Sequence, residues 1–155
     1  SGAVAAAVAA TVPDAELHGT DIDPAAVRCA RRNVPGGHLY GGDLYEPLPA
    51  TLRGRVDVLV ANAPYVPTDA IDLMPPEARL HEPRVALDGG VDGLDVLRRV
   101  IAGAPAWLAP GGHLLVETSD AQAPLVLTAA RSAGFAASRV ARDAGRGATI
   151  VDFFP

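Results

Sequence analysis

The 155-residue sequence contains no lysine and only one cysteine, and each shortage excludes a kind of chemistry. All 13 basic residues are arginine, so no lysine nucleophile or Schiff-base lysine is available. The single thiol of Cys29 excludes an intrachain disulfide and a cysteine-rich zinc site. This cysteine usage is typical of a reducing compartment, so we expect a cytoplasmic protein.

Long apolar runs and a surplus of basic residues are missing as well. The longest apolar run, residues 3–10, is far shorter than the roughly 20 residues of a membrane span. The 18 acidic residues outnumber the basic ones and give a net charge of −5, unlike domains that bind a phosphate backbone. We therefore expect no membrane and no direct nucleic-acid partner, and a monomer as the default.

Short β-branched runs alternate with alanine- and leucine-rich stretches, which predicts an α/β fold with helices covering a mostly parallel sheet in one domain, 1–155. The run VDVLVA at Val56–Ala61 is almost continuously apolar, which predicts a central strand buried on both faces. Further strands are predicted at 17–21, 38–40 and 113–117, helices at 2–10, 24–33, 94–107 and 122–133, and a closing hairpin at 137–141 and 149–153, joined through 143–147.

Residues 62–93 are rich in proline and show little periodicity. A connection of this length is typical of a lid or binding loop. We expect it to be the substrate loop, with Asp92 capping the helix that follows it.

Several polar residues follow the predicted strands, where ligands bind in a doubly wound sheet. Gly2 enters the first helix, Asp21 ends the next strand and Asp43 follows the one after it. A small residue lets the backbone approach a ligand, and a carboxylate can accept hydrogen bonds from both ribose hydroxyls. The pattern fits a nucleoside-containing cofactor, although Asp21 taken alone fits a turn residue equally well.

The tetrapeptide Asn62, Ala63, Pro64, Tyr65 directly follows the apolar strand. It resembles the Asn-Pro-Pro-Tyr motif of methyltransferases that act on planar amino or amide nitrogens. Together with its neighbours it resembles the HemK/PrmC protein-(glutamine-N5) methyltransferases over nearly the whole chain. The stretches that follow this pattern, in order, are SGAV, DIDPAAVRCARRN, GDLYEPLP, NAPYVP, EPRVALDGGVDGLD and LAPGGHLLVET. EPRVALDGGVDGLD is the most specific, because adenine and guanine methyltransferases do not generally carry it.

The resemblance implies a Rossmann-like class I fold with an antiparallel C-terminal hairpin that binds S-adenosylmethionine. It implies methyl transfer to a glutamine side-chain nitrogen of a protein, typically in the GGQ loop of a peptide-release factor. The cofactor contacts that it implies are Gly2 at the methionine end, Asp21 with Ile22 at the ribose, Asp43 with the Leu44 N–H at the adenine edge, and Asn62.

For the substrate, the resemblance implies that Asn62 and the Ala63 carbonyl accept hydrogen bonds from the glutamine amide and that Tyr65 packs on the amide plane. The lone pair of an amide nitrogen is delocalised into its carbonyl, so the nitrogen is a poor nucleophile. Acceptors fixed on its N–H groups orient it and favour the positive charge that develops during attack. No general base is required.

Ala63 stands where the family usually has proline, but its carbonyl is kept and Pro64 holds it in an extended conformation. Because Ser1 lies inside the expected glycine loop, we expect the first strand and the N-terminal recognition domain to be missing from this sequence. Two alternatives stay open: a nucleic-acid amino methyltransferase acting on adenine or guanine, and a non-catalytic cofactor-binding or scaffold domain.

Other polar residues are interpreted structurally. Glu117 and Gln122 are expected to be ordinary polar residues at a strand end and a helix start, and Glu82 to anchor the loop by hydrogen bonding. The four histidines show no ligand spacing, so no metal site is predicted.

Overall fold

The computed structural model describes residues 1–143 and 148–154. Contacts divide the chain into two compact units, Ser1–Thr51 and Leu52–Pro155. The structure has the α/β elements that the sequence predicts. The turn expected at 144–147 within the closing hairpin lies outside the described residues.

The first unit is built from two helices and a pair of parallel strands. In chain order these are α1 (Ala3–Thr11), β1 (His18–Asp21), α2 (Pro24–Asn33) and β2 (His38–Gly41). The strands pair from His18 opposite His38 to Asp21 opposite Gly41.

Helix α2 begins where the sequence predicts. The Asp23 carboxylate accepts a hydrogen bond from the Ala25 N–H at 2.8 Å, and Pro24 occupies the first turn, where no intrahelical N–H is needed. The helix buries Val27 and Ala30.

The second unit contains a four-stranded sheet in the order β3-β4-β6-β5. Its strands are β3 (Val56–Ala61), β4 (Leu108–Thr118), β5 (Ala137–Asp143) and β6 (Ala148–Phe154). Strand β3 pairs with β4 in parallel, whereas β6 is antiparallel to both β4 and β5. The predicted closing hairpin is therefore confirmed.

Two longer helices pack in the second unit, α5 (Asp95–Gly103) and α6 (Ala123–Ser132). A short 3-10 helix, Ala104–Ala106, replaces the last turn of the helix predicted at 94–107. Apolar side chains from these helices and from the central strands are almost fully buried, and they make the core of the unit: Leu97, Ile101, Leu114, Val116, Val126, Val151 and Phe153.

The prediction that Val56–Ala61 is buried on both faces is wrong. Strand β3 lies at an edge of its four-stranded sheet, and Val58 and Val60 are 57% and 44% exposed. An apolar run indicates a strand suited to burial, but the neighbours that cover a strand are set by tertiary contacts.

The segment between β3 and α5 is partly helical. It contains a 3-10 helix, Thr68–Leu73, and two short helices, α3 (Pro76–His81) and α4 (Arg84–Leu87). These helices are too short to show a clear hydrophobic periodicity in the sequence. In the described residues, no helix has the length and apolar character needed to cross a membrane.

Candidate active site

Two acidic residues of the first unit, Asp21 and Asp43, lie at the same end of neighbouring parallel strands. Asp21 is the last residue of β1 and pairs with Gly41, so Asp43 follows two residues beyond the end of β2. Asp21 Oδ1 accepts a hydrogen bond from the Asp23 N–H at 3.0 Å, which fixes one side of its carboxylate. Ile22, between these two aspartates, is 57% exposed.

Two of the positive-φ residues in this unit, Leu44 and Gly2, stand at positions that the sequence assigns to the cofactor. Leu44, next to Asp43, has φ of 46°, which is uncommon for a residue with a side chain. Gly2 has φ of 77° at the start of α1, and a Cβ there would come within 2.9 Å of Ala30 on α2. The Asn33 side chain donates to the Ser1 carbonyl at 2.9 Å and so ties the residue before Gly2 to α2.

In the second unit, residues 62–65 directly follow β3, as predicted. Asn62 is exposed, whereas Ala63 is only 8% exposed. The Asn62 side chain makes no hydrogen bond with the described residues, so its amide is available to a ligand. Tyr65 is half-buried, and its hydroxyl donates to Glu117 Oε1 at 3.3 Å.

The loop before α5 folds around Asp88. Its carboxylate accepts hydrogen bonds from the Thr68 hydroxyl at 2.7 Å and the Gly90 N–H at 3.1 Å. Val66 bridges to the same loop, since its N–H donates to the Leu87 carbonyl and its carbonyl accepts from the Gly89 N–H. The NAPYVP and DGGVDG stretches are thus paired through their backbones.

Gln122 joins these two stretches a second time. Its side-chain amide donates to the Tyr65 carbonyl at 2.8 Å and to the Asp92 carbonyl at 3.0 Å, while the Ser119 hydroxyl donates to its Oε1 at 2.7 Å. The Gly93 backbone packs directly against this hydrogen-bonded junction, and a Cβ on Gly93 would overlap the Tyr65 carbonyl and the Gln122 amide. Gln122 is 8% exposed, so this junction is largely shielded from water.

The Tyr65 hydroxyl is held in its protonated form. Burial raises the pKa of Tyr65 above its usual value of 10.0, and the charge and hydrogen bond of Glu117 raise it further, with a smaller contribution from Glu82. Near neutral pH Tyr65 is therefore a neutral hydrogen-bond donor, held at its hydroxyl by Glu117 and at its backbone carbonyl by Gln122.

Comparison with known proteins finds curated relatives over most of the chain. No family model matches the chain. It is 42% identical over 147 residues to the release factor glutamine methyltransferase of Geobacter sulfurreducens, covering 92% of this chain and 51% of that protein. The chain is a homologue of the release factor glutamine methyltransferases. It spans about half the length of the curated relatives that it matches.

A second homologue is named for a different target. The ribosomal protein uL3 glutamine methyltransferase of Bradyrhizobium diazoefficiens is 42% identical over 124 residues, covering 76% of this chain and 37% of that protein. Among solved structures, a methyltransferase from Pyrococcus furiosus matches with a TM-score of 0.68 and 16% identity, covering 98% of this chain and 68% of that chain. The fold is that of the Rossmann-like methyltransferases, as the sequence predicts.

Two residues of this glutamine methyltransferase homologue have more contacts than the sequence suggested. Glu117 and Gln122 were interpreted as ordinary strand-end and helix-start residues, yet both hold Tyr65. The available signal was the position of Glu117 directly after the apolar run HLLV, with Gln122 five residues further along. Glu82, expected to anchor the loop by a hydrogen bond, is exposed, and its charge makes the smallest contribution to the raised pKa of Tyr65.

Proposed function

We propose that this chain carries the active site of an S-adenosylmethionine-dependent enzyme that methylates the side-chain amide nitrogen, N5, of a glutamine in a protein. The observation that carries the proposal is the junction of residues 62–65 with residues 88–93 and Gln122. It unites the two stretches by which the sequence resembles glutamine methyltransferases, in a chain 42% identical to one of them.

The residues at the ends of β1 and β2 suit the proposed cofactor. Asp21 has one carboxylate oxygen fixed by the Asp23 N–H and a second oxygen that can accept from ribose hydroxyls. We assign Asp43 and the Leu44 N–H to the adenine edge, Gly2 to the methionine end, and Ile22 and Asn62 to further contacts. When bound, the cofactor supplies a methyl group activated by a positive sulfonium.

In the proposed reaction, Asn62 and the Ala63 carbonyl accept hydrogen bonds from the two N–H groups of the substrate amide. These acceptors orient the nitrogen lone pair and stabilise the positive charge that develops on the nitrogen. Tyr65 packs on the amide plane, with its hydroxyl held by Glu117 and its backbone carbonyl held by Gln122. Pro64 keeps Ala63 in an extended conformation.

The substrate that we propose is a peptide-release factor, methylated in its GGQ loop. This choice is supported by the names of the homologue from Geobacter sulfurreducens and of several others, which are release factor glutamine methyltransferases. A ribosomal protein is the second candidate, because the homologue from Bradyrhizobium diazoefficiens is named for uL3.

Cofactor binding is tested by calorimetric titration of S-adenosylmethionine and S-adenosylhomocysteine into the chain. We expect micromolar binding that Asp21→Ala abolishes. The matched control is Asp14→Ala, which removes an exposed carboxylate of the same unit and should leave binding unchanged. Equal binding by the wild type and Asp21→Ala would contradict the assignment of Asp21.

Catalysis is tested by transfer of a labelled methyl group to purified release factor, to uL3 and to transfer RNA, with the modified residue identified by mass spectrometry. We expect label on a glutamine, and Asn62→Ala to lose transfer while keeping cofactor binding. Label on nucleic acid would support the amino-methyltransferase alternative instead. Binding without transfer to any of the three would support the scaffold alternative.

A further inference from the structure

Three polar side chains meet at the start of the strand pair in the first unit. His18 and His38 lie opposite each other at the first paired position of β1 and β2, so their side chains are neighbours on one face of the sheet. Their rings stack with centroids 4.8 Å apart. Glu16, two residues before His18, places Oε1 2.9 Å from His18 Nε2. We call Glu16, His18 and His38 the strand-start cluster.

The strand-start cluster is close to the geometry of a metal site. One ligand-type atom from each residue lies within 4.8 Å of the other two. Zinc bonds of about 2.0 to 2.2 Å to imidazole nitrogen and carboxylate oxygen place tetrahedral ligands roughly 3.4 Å apart. Because a metal lies in the plane of each imidazole that binds it, His38 must turn its ring out of the stack with His18; Glu16 and His38 are exposed and so have room to move, and an ion can enter from solvent.

Tyr40 orients the most buried member of the cluster. Its hydroxyl lies 3.3 Å from His18 Nδ1, and its ring stacks on that of His18 with centroids 6.0 Å apart. Nδ1 is thus engaged on one side, and Nε2 points towards Glu16. Histidines that bind metals typically use one ring nitrogen for the metal and donate from the other to such an outer partner.

We propose that Glu16, His18 and His38 bind a divalent transition-metal ion of the zinc class, with solvent completing the coordination. Two imidazoles and one carboxylate form a donor set that suits zinc and its neighbours better than magnesium or calcium. In this arrangement His18 coordinates through Nε2, and its Nδ1–H donates to Tyr40. The ion would link β1 to β2 at the end opposite to Asp21 and Asp43, so the site is separate from the proposed cofactor contacts.

The histidine separation in the sequence gave no hint of this site. His18 and His38 are separated by a whole helix, and the expectation of no metal site rested on that distance. Parallel pairing across a β-α-β connection places them side by side.

The test is a calorimetric titration of Zn²⁺ into the untagged chain carrying Cys29→Ser, which removes the one competing thiol. We expect one equivalent to bind. His38→Gln should weaken binding at least about tenfold, and Tyr40→Phe should weaken it by about tenfold through the loss of an outer partner. Because the His38 side chain is exposed, this variant is expected to keep the fold, which circular dichroism checks.

The matched control is His113→Gln. His113 forms another histidine–carboxylate pair, with Nδ1 2.9 Å from Asp152, and lies in the second unit. Unchanged Zn²⁺ affinity in this variant, with loss in His38→Gln, would support the proposal. Absence of binding, binding unaffected by His38→Gln, or equal losses in both variants would overturn it. Substitution by Co²⁺ gives a second readout, since tetrahedral coordination produces strong visible absorption that His38→Gln should remove.

Discussion

The side-chain amide of Gln122 donates a hydrogen bond of 2.8 Å to the backbone carbonyl of Tyr65. The same nitrogen donates to the Asp92 carbonyl, so one buried amide joins residues from both sides of the proposed substrate loop. Two carbonyl oxygens that face a single donor need an N–H group at that position. The identity of this side chain therefore matters for both stability and activity.

Gln122→Glu should destabilise the fold strongly. It replaces the donating amide with a carboxylate that faces two carbonyl oxygens, and a buried group left unpaired costs about 1 to 3 kcal/mol, more when it is charged. Urea denaturation measures the loss. The matched control is Asn33→Asp, an amide-to-acid change at an exposed hydrogen bond. Equal losses in the two variants would contradict the larger contribution expected of the buried Gln122 amide.

Gly93→Ala and Gly111→Ala separate steric overlap from backbone strain. Both glycines are left-handed, with φ of 76° and 78°, but a Cβ has open space only at Gly111. We expect Gly111→Ala to cost about 1 kcal/mol in free energy of unfolding. Gly93→Ala should cost roughly 1 to 3 kcal/mol more, because the methyl group displaces Tyr65 or Gln122. Similar denaturation curves for both variants would contradict this close packing.

Glu117→Gln should lower the pKa of Tyr65 towards its usual value. The substitution removes the negative charge beside the phenol, whereas burial, the larger cause, remains, so the pKa should stay above 10.0. Ultraviolet titration of the phenolate, with Tyr65→Phe to assign the signal, measures the change. Glu82→Gln is the control and should have the smaller effect. A larger shift in Glu82→Gln would contradict the Tyr65–Glu117 hydrogen bond.

A raised tyrosine pKa also predicts a direction for stability. The folded state favours the protonated phenol, so the stability linked to Tyr65 is present below pH 10.0 and is lost as the pH rises through the pKa of the folded state. Denaturation midpoints measured across alkaline pH should therefore fall less steeply in Tyr65→Phe than in the wild type.

Asp88 makes the loop before α5 sensitive to acid. The hydrogen bond from Thr68 lowers the pKa of Asp88 below 3.8, and the Gly90 N–H and Arg84 lower it further. Because the pKa of Asp88 is depressed in the folded state, the ionised carboxylate stabilises the fold above about pH 4. This contribution is lost as the pH falls through the folded pKa. Asp88→Asn should remove that part of the acid dependence in denaturation experiments.

The Thr68 contact can be tested separately. Thr68→Val should raise the pKa of Asp88 towards its usual value, as followed by the carboxyl carbon in NMR. Thr128→Val is the control, because the Thr128 hydroxyl bonds to Pro124 on α6 and should leave Asp88 unchanged. An unaltered Asp88 titration in Thr68→Val would contradict the hydrogen bond.

Much of the fold is visible in the sequence because its signals are local. Asp23 followed by Pro24 predicts the start of α2, and the cap is present as expected. The alternation of β-branched and alanine-rich stretches predicts the order of strands and helices. The expectation that Asp92 caps the next helix is wrong, because α5 begins at Asp95 with Leu94 at its cap position; the Asp92 carboxylate instead accepts from the Leu94 N–H at 3.1 Å, just before the helix.

The sequence by itself determined the order of elements, the helix cap and the motif at residues 62–65, because each depends on residues only a few positions apart. Tertiary structure alone decided that Val58 and Val60 lie on an edge strand and that Gln122 joins Tyr65 to Asp92. It also decided that His18 meets His38. These relationships depend on which strands pair and in which register, and that is fixed by packing between segments far apart in the chain.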